Sequence, residues 1–516
     1  MTNEDHIIKS DVLVLGGGPA GTWAAYTAAS AGASVILADK GYCGSSGATA
    51  PSGTTLLGVY NDLPQREREL DACLSKGDGL ADRSWLEKLH HYNDIGTGKL
   101  VELGYPFPKD DSGSPIRRSL QGPEYMRLMR KTIIKSGVKI LDRSPALKLL
   151  TEEGRVCGAR GIHSQSGKEW IVQAGAVIIA TGGCAFLSNA LGCNVLTGDG
   201  NLLAAEVGAE FSGMEFSNEY GMAAQFSSIT KNYLFNWAKY YRLDGSEIVN
   251  PNKRILAKVL MNQPVFARLE QGAEQIKSAM RRTQPNFFVP FDRMGIDPFN
   301  DRFPIALRLE ATVRGTGGIN IMDQSCATSV AGLYAAGDAA TRELVSGGTT
   351  GGGRINASWA IASGCMSGEA AAQYALYYGK VKMNPRDSNA EGYQSDNLLN
   401  MAEMKEMISQ VQDEVMPFNK NLFRTGNRLI TSLKQLDKLW KHIGNGLVTH
   451  HDAKQVIRAR ETAAMITTAR MMYASALERK ESRGMHVRDD YPDENPTMQY
   501  RLITKGLNEF NYRSQF

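Results

Sequence analysis

Asp11-Val-Leu-Val-Leu-Gly-Gly-Gly-Pro-Ala-Gly21, continued through Ala33-Ser-Val-Ile-Leu-Ala-Asp39-Lys40, decides the fold. An apolar strand runs into a glycine turn, an alanine-rich helix and a second strand that ends in a carboxylate. Gly16 permits the tight turn, Gly18 lets the backbone approach a pyrophosphate, and Gly21 lets the helix pack close to the strand. Pro19 and Ala20 open the helix, whose first amides face the phosphates. Asp39, eighteen residues after Gly21, is placed to accept hydrogen bonds from a ribose. Glycines at this spacing are weak evidence alone. With the strand before them, the helix after them and the acid at this distance, they specify a dinucleotide-binding unit.

A distant element selects the dinucleotide. Val330-Ala-Gly-Leu-Tyr-Ala-Ala-Gly337-Asp338 is an apolar strand ending in Gly-Asp, the element that closes an FAD fold, where the aspartate binds the ribityl chain. A nicotinamide site needs no such element, so FAD is preferred over NAD. Ala176-Val-Ile-Ile-Ala-Thr181-Gly182-Gly183 adds a buried strand with a Thr-Gly-Gly turn, familiar from the same folds.

Bulk properties frame these motifs. A chain of 516 residues suffices for two or three domains around a large core. A net charge of +4 argues against an extended nucleic-acid surface. Lys253-Arg254 and Arg281-Arg282 read as solvated helix faces. Met1–Ser10 has no apolar core, and no run of about 18 uncharged apolar residues offers a membrane span. A cytoplasmic protein is expected, unless another subunit docks it to a membrane. The seven cysteines are odd in number and include no Cys-x-x-Cys pair, so neither an iron–sulfur cluster nor a redox dithiol is encoded. Cys43, in the expected pyrophosphate loop, reads as a space-filling thiol. The eight histidines show no metal-ligand spacing; the adjacent pairs His90-His91 and His450-His451 read as surface residues, and no metal is expected.

The FAD fold is expected to be discontinuous. A strand at 138–142 and a hairpin from Ala146 through Arg155, Ile162 and Trp170 precede the Ala176 strand. Between about Glu215 and Gly318 the pattern turns mixed and aromatic, with Tyr220, Tyr233, Phe235, Trp237, Tyr240 and Tyr241, which reads as an inserted domain. The FAD fold resumes near Asn320 and ends by Gly379, before a polar linker at 384–399. Helical periodicity follows over 400–480, broken at Gly426, Gly444 and Gly446. Ser346-Gly-Gly-Thr-Thr-Gly-Gly-Gly353 leaves the backbone bare, which suits close approach to a flat ring, the preferred reading directly after the Gly-Asp element, or else simple flexibility.

Five segments together resemble the fumarate reductase/succinate dehydrogenase flavoprotein superfamily over essentially the whole chain. They are the N-terminal fingerprint with Ser45-Ser46-Gly47-Ala48; Thr197-Gly-Asp199-Gly with Val207-Gly-Ala and Met214-Glu-Phe216; Thr316-Gly-Gly-Ile319; Gly332 to Asp338; and Phe423-Arg-Thr-Gly426 with Arg479-Lys-Glu-Ser-Arg-Gly-Met-His-Val-Arg-Asp-Asp-Tyr-Pro492. The resemblance implies an α/β architecture: a Rossmann-like FAD-binding domain in two parts (1–215 and 320–395), an inserted α+β capping domain (216–319) and a C-terminal helical domain (400–516). It adds Lys40, Ser45, Ser46, Gly47, Ala146, Thr181, Gly182, Asp199, Gly337, Asn356 and Ser358 to the expected FAD contacts.

Departures from the family pattern bear on substrate. Where dicarboxylate enzymes carry a histidine in Met-Glu-Phe-Val-Gln-Phe-His-Pro, this chain has Tyr220, and their His-Tyr-Thr-Met-Gly-Gly-Ile is here Val313-Arg314-Gly-Thr-Gly-Gly-Ile319. Both carboxylate-binding histidines are absent, against simple succinate or fumarate chemistry. Arg354 matches the arginine of the family's Asn-Arg-x-Gly-Ser-Asn-Ser segment and is expected to grip a substrate oxyanion; Arg314, Tyr220 and Glu219 are the alternatives. Arg242, Arg254 and Arg268 compete for the role of the cap's proton-shuttling arginine. Gly47 aligns with the histidine that carries covalent FAD in membrane succinate dehydrogenases, so the FAD is expected to be non-covalent. The resulting expectation is an FAD-dependent oxidoreductase acting on an anionic or polar organic substrate under the cap. A subunit like that of adenylylsulfate reductase, working with a ferredoxin-type iron–sulfur protein, and a soluble fumarate reductase or succinate dehydrogenase stand as alternatives. An oligomer is left open.

Overall fold

The computed structural model describes residues 7–59, 62–270, 274–379, 399–444 and 452–516. Strand β1 (Ile7–Leu15) runs through the middle of a seven-stranded sheet. On one side it pairs in parallel with β2 (Val35–Ala38), and β2 pairs in parallel with β5 (Lys139–Leu141). On the other side β1 pairs in parallel with β8 (Glu169–Ile179) from Ile7 opposite Ile171 to Leu15 opposite Ile179. Val12, Leu13, Val14 and Leu15 are all buried, as the run of apolar residues in a strand covered on both faces requires.

The sequence suggests a hairpin ending near Trp170 and a separate strand from Ala176. The structure fuses them into one 11-residue strand, β8. Its first half pairs antiparallel with β7 (Arg155–Ile162), which pairs in turn with β6 (Ala146–Glu152); its second half pairs in parallel with β15 (Leu333–Ala335). The strand before Gly337-Asp338 is thereby brought beside the strand before Thr181-Gly182. The helix Pro19–Ser30 covers this sheet and packs on the long helix Gly352–Tyr378. Contact is close because glycines face it: a Cβ on Gly364 would lie 2.5 Å from the Ala20 carbonyl oxygen, and one on Gly368 would lie 2.4 Å from that of Ala24.

The insertion has its own four-stranded antiparallel sheet, in the order β10 (Tyr220–Ala224), β13 (Phe303–Leu309), β12 (Phe266–Leu269), β11 (Ala238–Tyr241). Phe287, Phe288, Phe291 and Phe303 fill its core. A short ribbon of β3 (Gly53–Thr55) and β4 (Ser119–Gln121) lies beneath it. The expected resumption of the FAD fold at Asn320 comes slightly earlier, because β14 (Gly318–Ile319) already pairs with β9 (Glu210–Ser212) outside the insertion.

The C-terminal region holds the helices Met401–Val415, Gly426–Ile443 and Ala453–Glu478. Gly426 does not break a helix but begins one, capped by the Thr425 hydroxyl. The region is not wholly helical: β16 (Arg501–Lys505) pairs with β9, and β17 (Asn511–Gln515) extends that sheet. The chain's end is thus stitched to the first part of the FAD fold. Most of the linker at 384–399, together with Gly446 and His450-His451, lies outside the described residues.

Candidate active site

One cavity of about 600 Å³ runs from the glycine turn to the underside of the insertion. Gly16, Gly18, Pro19 and Ala20 line its floor, with Thr181 and Gly182 beside them. Gly16 has φ +110°, and a Cβ there would sit 2.2 Å from the Ala180 carbonyl oxygen, so only glycine fits where β1 and β8 end side by side. Gly18 caps the helix with φ −75° and has open space in front of it. Gly21 lies outside the cavity; a Cβ on it would meet the Gly16 carbonyl oxygen at 1.9 Å, so its part is close packing of helix on turn.

At one end Asp39 lines the cavity while accepting the Gly17 N–H at 2.6 Å and the Gly41 N–H at 2.8 Å. Burial raises its carboxyl above the ordinary value, and the two amides oppose that rise. Lys40, Asp199 and Ala146 stand at the same end. The Lys40 ammonium reaches Asp199 at 2.8 Å, Glu461 at 2.7 Å and the Thr197 hydroxyl at 2.6 Å. Burial alone would lower this lysine, but the two carboxylates outweigh it and hold the ammonium above its usual range. Cys43 donates toward the Gly17 carbonyl at 3.5 Å, and burial pushes its thiol up to about 12, so it stays a neutral filler.

Farther along, Ser46, Gly47, Gly337, Asp338 and Asn356 line the wall. Gly337 is pinned on both sides: its N–H reaches the Ser363 hydroxyl at 2.9 Å and its carbonyl accepts from the Trp359 indole at 3.1 Å. Asp338 pairs with Arg342, which also donates to the carbonyl of Gly315. Burial raises Asp338, with Arg342 opposing, and burial lowers Arg342. This buried arginine ties the Gly-Asp turn to the stretch between the short helix Ala311–Arg314 and β14.

The far wall belongs to the insertion and its return. Lys231, Asn232 and Tyr233 come from the stretch after β10, Arg282, Thr283 and Gln284 from the end of the helix Glu274–Thr283, and Arg314 from the turn after β13. The Tyr233 and Thr283 hydroxyls meet at 2.8 Å. Arg314 has Glu310 at 4.0 Å; burial would lower its guanidinium, but Glu310 and Glu219 raise it above its ordinary value.

Several expected site residues stand elsewhere. Ser45 is outside the cavity, its hydroxyl 3.4 Å from the Tyr42 carbonyl. The Ser358 hydroxyl donates to Asn93 at 2.8 Å and accepts the Leu57 N–H at 3.0 Å, inside the protein. Tyr220 packs edge-on against Phe418 and donates to the Met416 carbonyl at 3.0 Å, away from the cavity. Arg354 pairs with Glu69 at 2.7 Å and does not line the cavity. Helical period explains this: Gly353, Asn356, Ala357 and Ala360 share the face that does line it, and residues 354 and 358 fall off that face. Glu219 is taken by Lys253. Arg242 bonds Ser246, Arg254 pairs with Asp489, Arg268 pairs with Glu270, and none of the three lines the cavity.

Lys231 and Arg282 were not legible as site residues. Arg282 sits in a polar helix whose sequence is that of a solvated face, and Lys231 lies in a stretch without periodicity.

Comparison with known proteins places the chain in a family. A model described as an FAD binding domain matches residues 11–219, and one described as the fumarate reductase flavoprotein C-terminus matches residues 409–513. The chain belongs to the fumarate reductase/succinate dehydrogenase flavoprotein superfamily. Like other members of that superfamily it is an FAD-dependent oxidoreductase. An uncharacterised FAD-dependent oxidoreductase of Methanocaldococcus jannaschii is 24% identical, over 97% of each chain. L-aspartate oxidase of Streptomyces coelicolor is 26% identical, over 97% of this chain and 92% of its own. A solved quinol fumarate reductase of Escherichia coli superposes with a TM-score of 0.82 at 19% identity, covering 99% of this chain and 97% of its own. No helix among the described residues is long and apolar enough to cross a membrane.

The residues fit FAD. A glycine-only turn, an open amide-bearing helix start, an acid at one end and the pinned Gly-Asp turn at the other face one continuous space. Bound there, FAD supplies transfer of a hydride or two electrons.

Proposed function

We propose that this oxidoreductase acts on an anionic or polar organic substrate held between the flavin end of the cavity and the insertion. One observation carries the reading: Lys231 and Arg314 reach that end from two separate elements, with Arg282 exposed among the lining residues. Fixed cations in a partly closed cavity attract an anion strongly, because little water screens them. Arg314 takes the role that Arg354 has in the family pattern. Its planar fork suits a carboxylate or similar oxyanion, and Glu310 behind it keeps it charged. Val313 and Tyr220, in place of the dicarboxylate histidines, and the turning of Tyr220 toward Met416 argue against a simple succinate or fumarate enzyme.

The electron partner lies outside the chain in this reading. All seven cysteines are buried and none forms a disulfide, and no cluster of ligands for a metal exists among the described residues. A separate ferredoxin-type protein would supply or remove electrons, as in the adenylylsulfate-reductase-like alternative.

The test is anaerobic absorbance of the FAD-loaded protein. Oxidised protein is mixed with a panel of carboxylates, amino acids and neutral analogues, and reduced protein with their unsaturated or oxidised partners. Bleaching or recovery confined to anionic members supports the proposal. Turnover of apolar neutral compounds alone refutes it.

A further inference from the structure

Lys231 is a half-buried cation on the far wall that makes no salt bridge with a carboxylate among the described residues. Arg314 has Glu310 at 4.0 Å, and Arg282 is exposed, its guanidinium 3.2 Å from the Ser278 hydroxyl. The Lys231 ammonium, by contrast, is half-buried among neutral groups: the carbonyls of Ala48 and Leu191, each at 3.5 Å, and the Cys193 sulfur at 3.8 Å. The acid that feels its charge is Asp338, already paired with Arg342. Ala48 and Leu191 belong to the FAD-binding part, whereas Lys231 follows the first strand of the insertion. The ammonium therefore reaches across the gap between the two.

Its place along the cavity follows from the order of the other groups. The adenosine end is marked by Asp39 and Lys40, the pyrophosphate by the Gly16–Gly18 turn, and the ribityl chain by Asp338. The flavin ring must then lie beyond Asp338, at the end where Lys231, Gly47 and Ala48 meet. Reduced flavin is negatively charged at neutral pH and oxidised flavin is neutral, so a nearby fixed cation favours the reduced form.

We propose that Lys231 carries a positive charge from the insertion to the flavin end of the cavity, raising the flavin's reduction potential and coupling the insertion's contacts with the FAD-binding part to reduction. The coupling is reciprocal: if those contacts favour reduction, reduction favours them by the same factor. Two further contacts would then be strengthened, Gln121 to the Thr283 carbonyl and Asn286 to the Pro51 carbonyl, both 3.3 Å across the same gap. The inference rests on the FAD site and not on the substrate class, since its test uses no substrate.

Reduction potentials of FAD-loaded wild type, Lys231→Arg and Lys231→Met are measured against reference dyes. Lys231→Arg is expected to keep the wild-type potential. Lys231→Met is expected to shift the equilibrium about tenfold toward oxidised flavin, which for a two-electron couple is a fall of about 30 mV. Amide exchange over residues 284–294 of the insertion should be slower in reduced than in oxidised wild type, and equal in the two states of Lys231→Met. If Lys231→Met binds FAD weakly, titrations with oxidised and reduced cofactor give the same information: a greater loss for reduced FAD supports the proposal, and an equal loss overturns it. An unchanged potential in Lys231→Met overturns it, as does a Lys231→Arg variant that falls as far as Lys231→Met.

Discussion

Gly16→Ala and Gly18→Ala should separate the fold from the cofactor site, although only Gly17 stands between the two positions. At Gly16 the new Cβ would sit 2.2 Å from the Ala180 carbonyl oxygen and 2.9 Å from the Thr181 Cα, on a backbone with φ +110°. Both neighbours are main chain, so β1 or β8 must move. Overpacking costs about 1–3 kcal/mol, and a side chain in this backbone region adds roughly 1–3 kcal/mol. Gly16→Ala should therefore destabilise the apoprotein by about 2–6 kcal/mol, the sum of those two ranges. Gly18 has φ −75° and ψ −172°, which alanine adopts readily, and no atom lies within 4 Å of its would-be Cβ. Gly18→Ala should change apoprotein stability by no more than about 0.5 kcal/mol. Its methyl group instead projects into the cavity where a pyrophosphate must approach the backbone. A clash of about 1–3 kcal/mol there weakens FAD binding roughly 5- to 150-fold. The assay is thermal unfolding of each apoprotein followed by fluorescence titration with FAD. Gly18→Ala with wild-type FAD affinity, or Gly16→Ala apoprotein melting at the wild-type temperature, would refute the assignment of the turn.

Arg314→Lys should lower flavin reduction or oxidation by the true substrate about a hundredfold, through loss of the planar fork. Arg354→Lys should leave the rate near wild type and cost about 1 kcal/mol of stability, because Arg354 is half-exposed and lysine keeps a positive charge for the buried Glu69; a rate loss confined to Arg354→Lys would restore that residue to the mechanism. Denaturation by acid or heat should release all the FAD, because Gly47 cannot form the histidyl bond; yellow colour on the chain after denaturing electrophoresis would contradict this. Burial, with Glu215 adding, holds the Glu343 carboxyl up to about 7, above its ordinary value of 4.5. The folded state then binds the proton more tightly than the unfolded state, so this group's favourable contribution is present below pH 4.5 and is lost as pH rises through about 7. Glu343→Gln should accordingly gain on wild type in thermal stability between pH 5 and pH 8, and a difference that does not change with pH would show that Glu343 does not titrate there.

The motifs that run along one element were legible from the chain alone. Gly16, Gly18 and Gly21 act through backbone conformation and packing within a single strand–turn–helix unit, and the Ala176 and Leu333 strands announce themselves by unbroken apolar runs. Gly-Asp at 337–338 was legible for the same reason, because the turn that presents it directly follows its strand. The C-terminal Arg479-to-Pro492 segment was recognisable as a pattern, but not its purpose. In the structure Arg479 is fully buried between Glu215 and Glu481, at 2.6 and 2.8 Å, joining the C-terminal region to the residues before the insertion.

What the sequence determined by itself was the cofactor and the architecture, because both rest on local backbone geometry repeated in order along the chain. What only the tertiary structure decided was which side chains face the cavity. Tyr220, Arg354 and Ser358 lie within the motifs, yet a rotation of about 100° per residue along a helix, or a neighbour such as Met416 or Glu69, turns them away. Lys231 and Arg282 lie in segments without a motif, whereas Arg314 stands in the Val313–Ile319 segment that the sequence already singled out; the three line one cavity because the insertion folds back over it. Convergence of that kind depends on long-range packing, which no local pattern of residues records.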